Sequence, residues 1–572
     1  MLNHPVPKKR KFLPEEFQIL GWESLAPFYK LLLDKKINSS EELCLWLAQR
    51  SELEGAISED AGWRYIHTTR DTGNETYKKR YEEYITDILP QIMPLSHQLD
   101  EKIVQSPYTA TLAKEVGYDL LVHCLKTKIN LYRPENIPLF TKIQLQAHQY
   151  GKIASEMTIT RDGKELTMQQ AATYLELPDR KLREEVYLQM HERRLRDKAV
   201  LDELYTSLVQ ERHNVARNAG FANFRDYMFV ELKRFDYTPQ DCFKFHEAIL
   251  ETIIPLLNDI KTERKKEAGY TTFRPWDDAA DSQGRPPLQP FQDTKELLEK
   301  TIVVLDKLDP FFGDCLRTMQ EMGHFDLESR KGKAPGGYNY PLEESGVPFI
   351  FMNAVNEFQD VITMFHESGH AIHSFLMHHL PLNDFKHITS EMAELASMSM
   401  ELLTMNYWEL FLDNPTDAIR AKREHLESII KRLVWIAAID KFQHWIYENP
   451  THTKMKREEV WKNIVDTFSD YITDWDGLED IKYSLWQKQL HLFEVPFYYI
   501  EYGIAQLGAL SIWKNYKQNP KKTLQNYLDA LKLGYTKPLA SMYETAGTKL
   551  DLDRLYILDL VQFVREEWEK LL

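Results

Sequence analysis

Cysteine is scarce. The 572-residue chain has four, Cys44, Cys124, Cys242 and Cys315, far apart and with no CxxC pair. That excludes a disulfide framework, and the expected state is reduced and buried, in a reducing cytosol. Long apolar runs are missing too. None approaches 18 residues, so no membrane-spanning helix is expected. The first residues, MLNHPVPKKRKFLPEEF, lack the apolar stretch of a secretion signal. Positive charge is in deficit, 71 Lys and Arg against 87 Asp and Glu, for a net charge of −16. Nucleic acid and anionic membranes both need clustered positive charge, so neither is expected as a partner. The one basic run, Pro7 to Lys11, is read as a solvated tail. No internal repeat and no low-complexity tract interrupts the chain.

What is present is the composition of a soluble globular protein, 43% hydrophobic and 28% charged. The chain is organised around DVITMFHESGHA, residues 360–371. His366, Glu367 and His370 form an H-E-x-x-H motif. Residues four apart share one face of a helix, so both imidazoles can grip one metal ion from the same side. Nitrogen donors suit zinc. Glu367 then lies beside the ion without binding it, where a carboxylate can take a proton from water, the general-base role in a metallopeptidase. Asp360 is the expected N-cap. Gly369 costs the helix roughly 1 kcal/mol relative to alanine, so a close neighbour is expected there.

Around the motif the chain reads as mostly helical. Ser39 and Ser40 start a long helix that Asp71-Thr72-Gly73-Asn74 breaks. A second helix runs from Glu75 toward Leu89, with Pro90 and Pro94 marking a bend or boundary. Asp162-Gly163 predicts a hairpin between 157–160 and 165–167. The Arg- and Glu-rich stretch 176–216 reads as long helices with a solvated charged face. Residues 271–293 read as a surface loop in which Asp277, Asp278 and Asp281 serve as caps. Residues 347–353 read as a short strand that Pro348 places at a sheet edge, where a peptide could pair backbone to backbone. A boundary near 190 separates an N-terminal helical region, 1–190, from a catalytic region, 191–572.

A catalytic zinc site has three protein ligands and one open position. A metzincin would need glycine at position 373 and histidine at 376; the chain has His373 and Leu376. Three donors from one straight helix do not surround an ion easily, which weighs against His373. Glu391 and Glu394 follow His370 by 21 and 24 residues (391 − 370 and 394 − 370). Either spacing lets an antiparallel return helix face the histidines. Glu401 lies two turns beyond Glu394 on the same face and is placed to orient a ligand histidine. Far downstream, HLFEVPFYYIEYG (491–503) offers a histidine and several tyrosines. Donors of that kind stabilise negative charge on a carbonyl oxygen.

FHESGHAIH, SEMAELASMSMEL, KAPGGYNYPLEESGVPFIFMN and HLFEVPFYYIEY, in this order and spacing, resemble the oligoendopeptidase F and thimet oligopeptidase family of zinc metallopeptidases. DGKELTMQQAATYLELPDRKLREEVY resembles the oligoendopeptidase F branch. The likeness covers roughly residues 110–570 and is strongest from 330 to 505. It implies Glu394 as third zinc ligand, one Zn2+ per chain, and Glu401 as the carboxylate behind a ligand histidine. It also implies that His491 and tyrosines near 498 and 502, here Tyr498 and Tyr502, face the scissile bond; position 505 is alanine. The implied fold is mainly α: a two-lobed helical ellipsoid with a deep substrate channel and a small β-sheet beside the zinc helix. The implied activity is internal cleavage of short unfolded peptides, with no obligate protein partner. A dipeptidyl carboxypeptidase on a similar fold, or a non-catalytic peptide-binding protein, is the alternative.

Overall fold

The computed structural model describes residues 9–572, and the chain is mainly α-helical. Pro7 and Lys8 of the basic run lie outside the described residues. Of the rest, Arg10 is no solvated cation: it pairs with Glu344 and donates to the carbonyls of Pro14, Glu15 and Phe17. Ser39 caps the long helix Ser40–Arg70, accepting from the Glu42 N–H at 3.2 Å. The next helix does not end at Pro90. A π-helical turn, Tyr84–Ile88, widens the backbone ahead of the proline, and the helix continues as Leu89–Gln105 with Pro94 inside it. Strands β1 (Thr158–Arg161) and β2 (Lys164–Thr167) form the expected hairpin. Its turn residues Asp162 (φ 50°) and Gly163 (φ 74°) are both left-handed, as a type I′ turn requires.

Three strands lie beside the motif: β3 (Phe325–Glu328), β4 (Tyr338–Tyr340) and β5 (Phe349–Ala354), in the order β3-β5-β4. The expectation of an edge strand after Pro348 is corrected here. β5 is central, parallel to β3 and antiparallel to β4. Pro348 precedes the first strand residue, so its missing N–H removes no ladder bond. The two edge strands are β3 and β4.

Three other expectations also change. The loop 271–293 is irregular but not a surface excursion, because Phe273, Trp276, Leu288 and Phe291 are buried. Asp277 and Asp281 do cap loop backbone, accepting from the N–H groups of Arg274, and of Gln283 and Arg285, and all three acids are also ion-paired: Asp277 with Arg180 and Arg183, Asp278 with Lys261 and Lys431, Asp281 with Arg285 and Arg420. The charge-rich helices Arg180–Arg196 and Lys198–Asn218 hide two arginines, Arg183 and Arg212. All four cysteines are free, but Cys44 is exposed rather than buried.

One large core runs through residues 131–568. A second is built from helices between Leu13 and Leu125, and Met377, Leu380, Leu382 and Phe385 join it. The segment just after the motif helix therefore anchors in the N-terminal core. A smaller cluster of Ile66, Leu342, Phe349 and Phe351 ties the long N-terminal helix to the sheet. No helix among the described residues is long and apolar enough to cross a membrane.

Candidate metal centre

The motif helix spans Phe358–Met377. Asp360 is not its N-cap. Glu357 holds that position, and Asp360 sits at the third helical residue, accepting from the N–H groups of Glu357 (3.0 Å) and Val355 (2.8 Å). This capping box satisfies backbone donors at the start of the helix. The return helix, Ser390–Thr404, packs directly on the motif helix. Gly369 is where they touch: a Cβ there would lie 2.7 Å from Ser397 Cα and 2.8 Å from the Ala396 carbonyl oxygen. Only glycine lets the two backbones close this far.

That closeness carries Glu394 to the histidines. Glu394 Oε2 is 3.2 Å from His366 Nε2 and 3.6 Å from His370 Nε2. Three donors held about 2.0–2.1 Å from one tetrahedral ion stand roughly 3.3–3.4 Å apart, so this donor set fits zinc. Glu391 points elsewhere, accepting from the Tyr237 hydroxyl at 2.6 Å. His373 is buried and is not among the clustered donors. Glu401 Oε1 is 2.7 Å from His366 Nδ1, which leaves Nε2 free for a metal. Burial opposes a charge on His366, but the bonds to Glu394 and Glu401 outweigh it and raise its pKa well above the ordinary value. Behind Glu401 stand His425 and Arg432, each 3.6 Å from its Oε2.

Glu367 is buried, and its Oε2 has no hydrogen-bond partner among the described residues. Burial pushes its carboxyl up to about 7; His366 pulls it down, while Glu394 and Glu401 push it further up. The outer edge of β4 runs alongside. A Cβ on Gly337 would lie 3.7 Å from Glu367 Oε1, and the Asn339 N–H helps to hold the carboxylate charge.

The tyrosine segment closes the site from the other side. Tyr498 donates to Glu394 Oε1 at 2.7 Å, and Ser397 donates to Oε2 at 2.9 Å. His491 Nε2 is 3.2 Å from the Tyr502 hydroxyl. Its tautomer follows from its neighbours. Trp435 Nε1, a donor only, binds Gln489 Oε1 at 2.8 Å, which turns the Gln489 amide nitrogen toward His491 Nδ1 at 2.7 Å. Nδ1 therefore accepts and Nε2 carries the proton. Burial lowers the His491 pKa to about 4, so the ring is neutral near pH 7.

This arrangement rests on a strained residue. Phe497, next to Tyr498, has φ 67°, a region that non-glycine residues rarely occupy. Buried side chains hold both of its backbone polar groups. Its N–H donates to Gln443 Oε1 at 2.7 Å, and its carbonyl accepts from Arg234, which also donates to Glu501 at 2.8 Å. Arg212 braces the His491 turn from below by donating to the carbonyls of Leu492 and Phe493. Arg212, Arg234, Trp435, Gln443 and Gln489 were not singled out from the sequence. They lie far from the motif, and no spacing rule connects them to it.

Fold and site together define the class: a mainly helical protein with the two-histidine, one-glutamate donor set of a metallohydrolase. The description Peptidase family M3 matches residues 173–557, and Peptidase M3 N-terminal domain matches residues 12–129. The chain belongs to peptidase family M3. An oligoendopeptidase F homolog of Borreliella burgdorferi is 26% identical over 392 residues, 66% of this chain and 63% of that protein. Oligopeptidase PepF of Bacillus subtilis is 20% identical over 68% of this chain and 57% of its own length. The chain thus spans about three fifths of the curated relatives it matches. A solved structure of PZ peptidase A with an inhibitor superposes with a TM-score of 0.92 at 27% identity, covering 98% of this chain and 99% of that one.

Proposed function

We propose that the chain is a zinc-dependent oligoendopeptidase that hydrolyses internal bonds of short unfolded peptides. The observation that carries this reading is the convergence of His366, His370 and Glu394 beside Glu367, whose carboxylate Oε2 has no hydrogen-bond partner among the described residues. His366, His370 and Glu394 would hold one Zn2+, with Glu401 orienting His366. Zinc, when bound, supplies a Lewis acid that acidifies water and polarises the peptide carbonyl. Glu367, with a pKa near neutrality, takes the proton of the attacking water and later delivers it to the leaving amine. His491 donates its Nε2 proton toward the developing oxyanion, with Tyr502 beside it. Tyr498, bonded here to Glu394, is the second hydroxyl within the site. The outer edge of β4 would align the substrate backbone.

We also keep the division near residue 190 and a cytosolic location; the four free cysteines suit a reducing compartment. The net charge of −16 argues against nucleic acid as a partner. No obligate protein partner is invoked.

The test is mass-spectrometric mapping of products from peptides of mixed length, some blocked at both ends, with wild type and Glu367→Ala side by side. Internal cuts in blocked peptides, absent in the variant, are expected. Only C-terminal dipeptides from free-ended substrates would instead identify a dipeptidyl carboxypeptidase. No products from zinc-loaded wild type would point to a peptide-binding protein.

A further inference from the structure

A cavity of about 530 Å³ lies between the long N-terminal helix, the 75–105 helical arm and the end of β4. Small-molecule and side-chain pockets are commonly of this size. Its wall is chemically one-sided. Five tyrosines line it: Tyr29, Tyr65, Tyr81, Tyr84 and Tyr340. The charged lining residue is Glu54, and no cationic residue lines the cavity among the described residues. Tyr65 is central to the aromatic wall, its ring 5.8 Å from Tyr340 and 5.9 Å from Tyr81. The nearby cation Arg50 is already matched, 2.8 Å from Glu54 and 2.6 Å from Asp100. Lys128, mostly exposed, lies 3.0 Å from Asp100 on its other side. Burial raises the Glu54 carboxyl above its ordinary range, with Asp384 adding, while Arg50 and Lys128 pull it down toward the charged form.

A second carboxylate, Glu494, stands outside the cavity lining and has no ion pair among the described residues; its charge helps to raise the Tyr65 and Tyr81 hydroxyl pKa values. It closes the short helix Leu490–Glu494 that carries His491. Tyr340 connects the cavity to the reaction centre. It follows Asn339 on β4, the strand whose outer edge runs beside Glu367. A peptide laid along that edge advances about 3.4 Å per residue, so a side chain within a few residues of the reacting bond reaches the tyrosines.

Aromatic rings beside a carboxylate, in a cavity that no cation lines, are the chemistry that recognises a positive group. We propose that this cavity is a substrate subsite for a cation, either the side chain of an arginine or lysine near the cleaved bond or the free α-ammonium of a short peptide. The proposal rests on the reading of the chain as an oligopeptidase and adds a charge preference to it.

The test uses internally quenched peptides in which arginine is exchanged for citrulline, its uncharged near-isostere, at each position flanking the cut. The same peptides are also compared with free and acetylated amino ends. A preference of about tenfold in kcat/KM for the charged form is expected at one position, or at the free amino end, and the responding arm identifies the source of the cation. In Glu54→Gln and Tyr81→Leu that ratio should shrink to threefold or less. Gln at 54 keeps an acceptor for Arg50; if that variant fails to fold, Tyr81→Leu carries the test. Equal rates for arginine and citrulline at every position, with no effect of acetylation, would overturn the proposal, as would a preference that every folded variant leaves whole. In either case the uncharged peptides are still cut, so this failure is distinct from failure of the peptidase reading. That reading would fail through absence of any cleavage.

Discussion

Among the described residues, two groups of side chains have metal-ligand spacing, and they differ in almost everything else. His366, His370 and Glu394 form one; Cys242, Asp440 and His444 form the other. In both, the donor atoms lie within 4.8 Å of one another. In the first, each histidine keeps 18% of its side-chain surface exposed, and Glu367 lies beside it with its Oε2 free of hydrogen bonds among the described residues. In the second, every member is 2% exposed or less. Asp440 accepts from His246 at 2.8 Å, lies 3.3 Å from His444, and His444 is packed between Phe243 and Phe497. The comparison teaches that spacing alone does not make a reaction centre. An open side and a carboxylate free to move a proton do. The enclosed group has no open side: burial lowers the His246 pKa, and its ring bonds Asp440 Oδ2 inside the core.

The variants that sharpen this contrast begin with Glu367→Ala. It should keep the metal and lose turnover by about three orders of magnitude, read as kcat beside metal content. Asp440→Ala should act on folding instead. Stranding His246 and His444 in the core is expected to cost ~3 kcal/mol, read as a shift in the urea midpoint, with the metal retained. Glu401→Gln should weaken metal affinity by roughly 10–100-fold in a chelator competition, because His366 loses the carboxylate that orients it. Gly369→Ala should destabilise by about 1–3 kcal/mol, since the added Cβ meets the return-helix backbone at 2.7 Å. Its metal affinity should fall with it, as Glu394 is pushed from the histidines.

The smallest expected effect is on pH dependence. At the start of the motif helix, burial pushes Glu357 up to about 8, with Glu176 and Asp360 adding; burial pushes Glu176 up to about 7, with Glu424 adding. In the unfolded chain both titrate near the ordinary carboxylate value of about 4.3. The folded state therefore holds more protons between pH 4.5 and 8, and its stability falls as pH rises through that window. Glu357→Gln should flatten the slope of the urea midpoint against pH.

Much of the site was legible in the sequence because it is written locally. His366, Glu367 and His370 need only the 3.6-residue period, and the glycine at 369 announces a close neighbour through its cost. The choice between Glu391 and Glu394 was not legible from spacing, because both sit on a helix whose rotation depends on packing. Pro348 misled for a plain reason: one proline bars a central strand only when it lies inside the ladder, and here it stands one residue before. Charge density misled as well. Arg183 and Arg212 look like their solvated neighbours in sequence, yet burial turns them into braces. Phe497 carries no signal at all, since its left-handed backbone is imposed by Gln443, from a distant helix, and by Arg234, from a distant loop.

The measurement that tests the central claim most directly is metal content per chain after dialysis, for wild type, His366→Ala and Cys242→Ser, alongside cleavage of an end-blocked peptide. The account predicts one zinc and activity in wild type and in Cys242→Ser, and neither in a folded His366→Ala. Zinc lost with Cys242→Ser but kept in His366→Ala, or cleavage surviving in His366→Ala, would contradict it.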